Sequence, residues 1–495
     1  MKRISILIIV ILSVVAVAKA QTVDDALRYS QVFYGGTARF MSMGGAFTAL
    51  GGDISSLSQN PAGLGVFRSS EFTITPQLFQ IKTTARFNGV STSDNLSDFN
   101  LPQIGIVGSI ISNNKDAGLI TLNFGYSFNK TNNLSQSVVI KGVSNSSSMA
   151  DYWAGLANGT QYNNLSGAQA IAFDTWAIDT ITGSGGNRYG TVFSNFGDNA
   201  TSTYGQTIQR ILTNEGYTGE HAFSLGGNYS NKLFFGATFG ITTLRYTSHY
   251  EQLESTNAVS PSQFKDFTYT DHFEDKGTGY SLKFGVIYKP IDALRIGLAF
   301  HSPTWYKIDE YYYNDMTSHI FGTSFESSNT PSRYNYALAT PFRLLAGVGV
   351  QIQKIALLSA DYEYVDYTTA RFSETGDSHN FYPENNEIKT ILKPTSNIRL
   401  GGEFRLNNIY LRTGYGFYGK SFKSGDANSN LDYKSLSFGA GFREQNFSID
   451  FAFTNFKYSQ DFFLYPVNLG VDATVTNWNT VRNMFTLTFG YKFGI

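Results

Sequence analysis

Hydrophobic and polar residues alternate one by one along much of the chain after about residue 70. The clearest run is the last one, whose apolar face holds Phe485, Leu487, Phe489, Tyr491, Phe493 and Ile495. Successive side chains of a β-strand point to opposite sides, so this pattern predicts strands with one apolar and one polar face. Such strands suit a wall between lipid and a polar lumen, and we predict an all-β membrane protein, an antiparallel transmembrane β-barrel.

Fourteen such runs can be counted, with approximate centres at 78, 107, 123, 226, 238, 284, 299, 347, 363, 400, 413, 439, 451 and 488. Short turns such as Asn231-Lys232 and Asn407-Asn408 alternate with long polar connections such as 375–389 and 420–433. This asymmetry is typical of a bacterial outer-membrane barrel, with short periplasmic turns and long extracellular loops. An even strand number brings both chain ends to the periplasmic side.

The first twenty residues have the layout of a secretory signal peptide. Lys2 and Arg3 precede an apolar run, 4–17, and small residues follow at Ala18 and Ala20. The run is shorter than the roughly 20 residues that a membrane-spanning helix needs, so we predict a signal peptide 1–20 that is removed after Ala20.

The amino-acid composition also supports a membrane protein and excludes several kinds of site. The chain has 41 Phe, 31 Tyr and 48 Gly but only 15% charged residues, against about 25% in typical soluble proteins. The absence of cysteine excludes a lipid-modified cysteine, disulfides and thiolate metal sites, and a net charge of −1 argues against a nucleic-acid partner. The six histidines show no metal-ligand spacing, so we expect no metal and no cofactor.

Two stretches depart from the alternation. Residues 34–70 are rich in glycine, which divides them into pieces too short to form a hydrophobic core of their own. We therefore expect this stretch to pack inside another part of the chain. Residues 132–219 contain helix-like spacing at 150–158, 165–181 and 204–215. We predict a helical extracellular loop insertion over the barrel mouth.

The glycine-rich stretch carries Ala38-Arg39, the run Met43-Gly44-Gly45-Ala46-Phe47-Thr48-Ala49, Asp53 and Asn60-Pro61-Ala62-Gly63-Leu64. Followed by these strands, and by Thr340-Pro341-Phe342-Arg343-Leu344 late in the chain, it resembles the FadL/TodX family of outer-membrane transporters for long-chain fatty acids and other hydrophobic compounds.

The resemblance implies a barrel over 70–495 with residues 21–69 folded inside it as a hatch. It also implies capture of a hydrophobic ligand at the extracellular loops, and release sideways through a gap in the wall after the hatch rearranges. Asn60, Pro61, Ala62, Gly44 and Gly45 are the predicted joints of this hatch. We expect a monomer surrounded by outer-membrane lipid.

Several cationic residues fall on the polar faces of the strands, and four of them, Arg295, Arg343, Arg399 and Arg412, are candidates to bind a ligand carboxylate in the lumen. The alternative is a network of paired charges that braces the hatch, because barrel lumens are polar in any case.

We consider three functions for this sequence. Passive uptake of hydrophobic compounds such as long-chain fatty acids follows from the resemblance. A surface barrel without transport, used for adhesion or haem capture, is the alternative. An enzyme would need a nucleophile, a base and an orienting group, and no local motif provides catalytic residues, so we predict no enzyme.

Overall fold

A computed structural model of the chain describes residues 22–113, 117–194, 203–256, 263–376, 379–466 and 475–494. The predicted signal peptide, 1–20, lies outside the described residues. Within these ranges, no helix is both long enough and apolar enough to cross a membrane.

The described residues form 21 strands, five α-helices and several short 3₁₀ helices. The strands are β1 Ser70–Phe87, β2 Val90–Ile111, β3 Leu119–Asn133, β4 Gln136–Ser144, β5 Ile178–Thr180, β6 Tyr189–Thr191, β7 Gln206–Tyr229, β8 Leu233–Ser255, β9 Asp266–Ile291, β10 Leu294–His301, β11 Trp305–Ile320, β12 Thr323–Ser328, β13 Ser332–Ala339, β14 Arg343–Ile352, β15 Ala356–Asp366, β16 Arg371–Glu374, β17 Pro394–Leu406, β18 Ile409–Tyr418, β19 Tyr433–Glu444, β20 Phe447–Phe463 and β21 Val475–Phe493. The α-helices are α1 Val23–Ser30, α2 Ala38–Ser42, α3 Met149–Ala157, α4 Gly167–Asp174 and α5 Tyr382–Ile391.

Fourteen of these strands form a closed antiparallel wall, as predicted. The order is β1, β2, β3, β7, β8, β9, β10, β14, β15, β17, β18, β19, β20 and β21, and β21 pairs back with β1. Each of the fourteen predicted centres lies in a different one of these strands. Strands β4, β11, β13 and β16 extend the wall at the end that carries the long loops, which we call the upper end.

The wall has the two faces that the alternation predicted. On β21, for example, Phe485 and Phe489 are 37% and 45% exposed on the outside, whereas Thr486 and Thr488 are buried inside. The predicted asymmetry of the connections is also present, because turns of two or three residues join β7 to β8, β9 to β10 and β17 to β18 at the lower end.

The helical prediction for the upper loops was only partly right. Helix α3 confirms the prediction for 150–158, and α4 covers part of 165–181 before β5 begins. The prediction for 204–215 was wrong, because these residues enter β7 and pair with β8. Ile208 and Leu212 are both buried, and a spacing of four residues places two side chains on one face of a strand as well as of a helix.

Residues 22–69, which we call the N-terminal segment, lie inside the barrel. Helix α1 is at the upper end beside α5, and α2 contacts β18 to β21. Two 3₁₀ helices, Ile54–Ser58 and Pro61–Val66, contact the opposite wall, β2, β3 and β7 to β9. The sequence explains this location, since the segment's short pieces gain a core only by packing on the wall.

Candidate functional site: the lumen and a window in its wall

A belt of glycines lines the inner wall where the N-terminal segment approaches it. The belt consists of Gly226, Gly236, Gly285, Gly297, Gly347, Gly401, Gly414 and Gly439. A Cβ at Gly236 would collide with the Pro61 carbonyl, and one at Gly414 would collide with the Gly44 amide. No local sequence pattern predicts this belt, because its members become neighbours only through strand register.

The predicted joint residues come together in one buried core. Asn60 is fully buried; its Oδ1 accepts from the Ala62 amide at 3.1 Å and its Nδ2 donates to the Thr48 carbonyl at 2.6 Å. Gln59 Nε2 donates to the Gly45 carbonyl at 2.8 Å, which ties this turn to the glycine pair. Gly44 and Gly45 have φ of 63° and 72°, a conformation that glycine adopts without strain.

Two of the predicted carboxylate-binding arginines share one carboxylate. Arg343 and Arg399 both pair with Glu363, the second at 2.7 Å, and all three side chains are almost completely buried. Arg343 also donates to the Ser30 carbonyl of the N-terminal segment. Nε and Nη2 of Arg399 have no hydrogen-bond partner among the described residues.

The other two arginines lie lower in the lumen. Arg412 pairs with Glu403 at 2.6 Å and with Asp450 at 2.7 Å, and Arg39 of the N-terminal segment joins Glu403 at 3.2 Å. Arg295 donates to the Leu50 carbonyl at 2.5 Å and lines a cavity of about 260 Å³ at the lower end. The four arginines therefore occupy three separate places, and three of them pair with carboxylates of the chain.

The wall is interrupted between β2 and β3. The β2–β3 ladder ends where Gln103 faces Asn129, and no backbone pairing joins the described residues of the two strands above that point. There β3 bends inward, since Gln136 of β4 reaches Thr480 of β21 at 3.3 Å. Side-chain bonds reconnect β2 and β4 only higher up, where Ser137 donates to Asp94 at 2.5 Å. We call the interval between residues 95–102 and 130–136 the window.

The N-terminal segment lines the lower part of this window from inside. The Phe33 amide donates to the Thr131 carbonyl at 2.7 Å, and the Gly35 amide donates to the Lys130 carbonyl at 2.8 Å. These bonds occupy acceptors of β3 next to the point at which β2 leaves the ladder, so the segment substitutes for part of the missing strand pairing.

Two neighbouring cavities lie between the upper lumen and the window. The upper cavity, about 350 Å³, lies beside α1, and the lower cavity, about 70 Å³, is lined by Asn100 and Pro102 of β2. Both cavities are lined by Phe33, Asn132, Asn133, Phe456 and Arg482. The two cavities are therefore adjacent.

The upper cavity combines aromatic walls with charged groups. Phe33, Phe456 and Trp478 line it, and so do charged residues, namely Asp24, Arg28, Arg210, Asp461 and Arg482. This combination suits a molecule that is mostly apolar and carries one polar end.

The insertion that contains α3 and α4 covers the upper end of the lumen. Trp153 of α3 is fully buried against Phe267 and Tyr269 of β9. Glu254 accepts from the Ser148 hydroxyl at 2.6 Å and from the Met149 amide at 2.9 Å, so it holds the start of α3 against β8. Among the described residues, no group of His, Cys, Asp or Glu is arranged to hold a metal.

No protein-family model and no curated protein sequence matches this chain. Its fold is similar to a FadL homologue from Pseudomonas aeruginosa, with a TM-score of 0.56 and 14% identity over 94% of this chain and 100% of that one. It is also similar to two structures of the Pseudomonas putida toluene transporter TodX. One has a TM-score of 0.53 and 12% identity over 93% of this chain and 99% of that chain. The other has a TM-score of 0.51 and 13% identity over 94% and 100%. At such identities the similarity establishes the fold, and it confirms the resemblance noted in the sequence at that level.

Proposed function

We propose that this chain is an outer-membrane channel that takes up hydrophobic molecules passively and releases them sideways. The observation that carries the proposal is the path of two adjacent cavities, which runs from the upper lumen to the window between β2 and β3. The fold shared with the toluene transporter TodX supports the substrate class, and the predicted signal peptide supports export.

A sideways exit is favoured because the lower lumen is occupied. The N-terminal segment packs directly on the glycine belt, and its residues Phe40, Phe47 and Leu64 are fully buried. A hydrophobic molecule gains about 25 cal/mol for each Å² that it removes from water, so a path from aromatic cavity to lipid keeps it out of water throughout.

In this proposal the N-terminal segment is the hatch. The two backbone hydrogen bonds from Phe33 and Gly35 to β3 are the contacts that have to part. A typical hydrogen bond contributes only about 0.5–1.5 kcal/mol net, so thermal motion suffices to break this pair. Asn60, Pro61, Ala62, Gly44 and Gly45 form the joint below it, and the ion pairs around Glu363 and Glu403 anchor the hatch to the wall.

Blocking the window tests the proposal. The chain contains no cysteine, so a single Asn100→Cys substitution creates one thiol beside the lower cavity. We expect a bulky maleimide on this thiol to abolish uptake of radiolabelled toluene and dodecanoate in cells that lack their own channels for hydrophobic compounds. Before labelling, uptake should be close to that of the unsubstituted protein.

Ser93→Cys is the matched control, because Ser93 lies exposed on the same strand and faces Thr84 within the intact β1–β2 ladder. Labelling there should leave uptake unchanged. Normal uptake through the fully labelled Asn100→Cys protein would refute release through the window.

A further inference from the structure

The cavity of about 260 Å³ at the lower end shares no lining residue with the two cavities near the window, and we call it the mouth cavity. Leu50, Gly51 and Gly52 of the N-terminal segment form one side of it. Lys354 and Ile355, both exposed in the turn between β14 and β15, form another side. Solutes on the side of the short turns can therefore reach the mouth cavity.

Four cationic residues line the mouth cavity, but only one carboxylate does. The cations are Arg39, Arg295, Lys354 and Arg405, and the carboxylate belongs to Glu403. Glu403 already pairs with Arg39 at 3.2 Å and with Arg412 at 2.6 Å. None of the ion pairs among the described residues includes Arg295, Lys354 or Arg405. The cavity therefore has an excess of positive charge.

Backbone contacts fix the two unpaired arginines at the edge of this cavity. Nη1 of Arg295 on β10 donates to the Leu50 carbonyl at 2.5 Å, and Nε of Arg405 on β17 donates to the Asn407 carbonyl at 3.0 Å. Each guanidinium uses only one of its five N–H groups in these bonds, and an anion in the cavity can accept from the others.

The Tyr410 ring holds Arg405 next to two more cations. The guanidinium carbons of Arg405, Arg412 and Arg443 lie 5.5, 5.4 and 5.0 Å from the centre of this ring. Arg412 and Arg443 pair with Asp450 at 2.7 and 3.3 Å, whereas Arg405 forms no ion pair with a described residue. Like charges this close repel each other, so an anion beside Arg405 is favoured.

We propose that the mouth cavity binds a phosphate group, supplied either by dissolved phosphate or by the head group of an anionic phospholipid. A phosphate group has several strong acceptor oxygens and can receive Arg39, Arg295 and Arg405 together, whereas one guanidinium fork already satisfies a planar carboxylate. The volume is below the roughly 300–1,000 Å³ of pockets for drug-sized ligands, which favours a small group. The bound phosphate links Arg39 of the N-terminal segment to β10 and β17 of the wall.

Phosphate titration of the full-length protein tests this site. In an uncharged maltoside detergent, which contains no phosphate, calorimetry at constant ionic strength should show saturable binding of inorganic phosphate. Arg295→Gln should weaken this binding at least about tenfold, because it removes a charge-assisted donor from the cavity. Arg405→Gln should weaken it about threefold, since this more exposed charge is screened by water, and its exposure also means that the barrel should assemble normally.

Phospholipid nanodiscs that contain phosphatidylglycerol distinguish the two sources of the phosphate group. If inorganic phosphate still binds to the protein in such discs, the site takes dissolved phosphate. If this binding is lost in the discs but present in detergent, a lipid head group fills the site.

Arg86→Gln is the matched control, because Arg86 is an exposed arginine at the upper end of β1, far along the wall from the mouth cavity. Its phosphate affinity should equal that of the unsubstituted protein. Absence of saturable phosphate binding in detergent, or an unchanged affinity in Arg405→Gln, would overturn the proposal. Because these experiments measure binding without uptake, such a result would leave the proposed channel function untouched.

Discussion

The lower and upper halves of the lumen differ in how closely they are packed and in how their charged groups are paired. In the lower half, the N-terminal segment meets the wall through glycines such as Gly236 and Gly414. Arg412 there pairs with Glu403 and Asp450, whereas Arg295 donates to a backbone carbonyl. In the upper half, aromatic side chains line a cavity beside α1, and Nε of Arg482 has no hydrogen-bond partner among the described residues.

This difference illustrates the separate structural requirements for closing a lumen and for binding a ligand in it. A contact between two segments excludes water and ions when the backbones touch and little space is left between them. A binding site needs space and unsatisfied interactions that a guest can complete. The boundary between the two halves lies near Arg399, which shares Glu363 with Arg343 and lines the lower cavity.

The largest effect should come from breaking the charge network at this boundary. Glu363→Gln leaves Arg343 and Arg399 without their shared counter-charge, and we expect the free energy of unfolding to fall by about 3–5 kcal/mol. Denaturant unfolding of the purified protein in detergent micelles measures this change.

Glu251→Gln is the control for the loss of one carboxylate, since Glu251 is exposed on β8. Its effect should stay within about 0.5 kcal/mol. If Glu363→Gln costs no more than this, the network does not hold the two halves together.

A smaller effect should follow from disturbing the seal. Gly236→Val places a side chain where the Pro61 carbonyl lies, and overpacking of this kind costs about 1–3 kcal/mol. We expect the N-terminal segment to move off the wall and ion conductance across planar bilayers to rise. Gly108→Val is the control, because a Cβ there meets nothing within 4 Å. Equal conductance of the two variants would show that the belt does not seal the lumen.

The wall could be predicted from the sequence because its signal is local. Alternation along a strand such as β21 depends only on neighbouring residues, and it located all fourteen wall strands. The same local reasoning failed at Ile208 and Leu212, whose spacing fits a helix and a strand equally.

The lumen could be predicted only in part. The resemblance predicted the joint residues, and Asn60 and Gly45 lie in one core, but their role as a joint stays a prediction. The glycine belt was not found, because Gly236 and Gly285 become neighbours only in the β8–β9 register. The position of Arg482 in the lumen was not predicted for a similar reason. It depends on the inward bend of β3, which no local sequence pattern predicts.

The smallest effect should come from the joint between the halves. Asn60→Ala removes the cap on the Ala62 amide and the tie to the Thr48 carbonyl, and loss of such a cap costs about 1 kcal/mol. The barrel should therefore assemble normally. Uptake of labelled dodecan-1-ol should fall by up to about fivefold, the factor that corresponds to this energy, because the two parts of the hatch no longer move as one piece.

Asn60→Ser separates the two bonds of that joint, because serine also caps helix starts but its shorter side chain does not span the distance to Thr48. If the tie to Thr48 transmits the movement, uptake falls in both variants, and the alanine variant loses more stability because it loses both hydrogen bonds. Normal uptake by a correctly assembled Asn60→Ala protein would mean that this turn only fixes the segment in place. The upper half would then open without any change in the lower half.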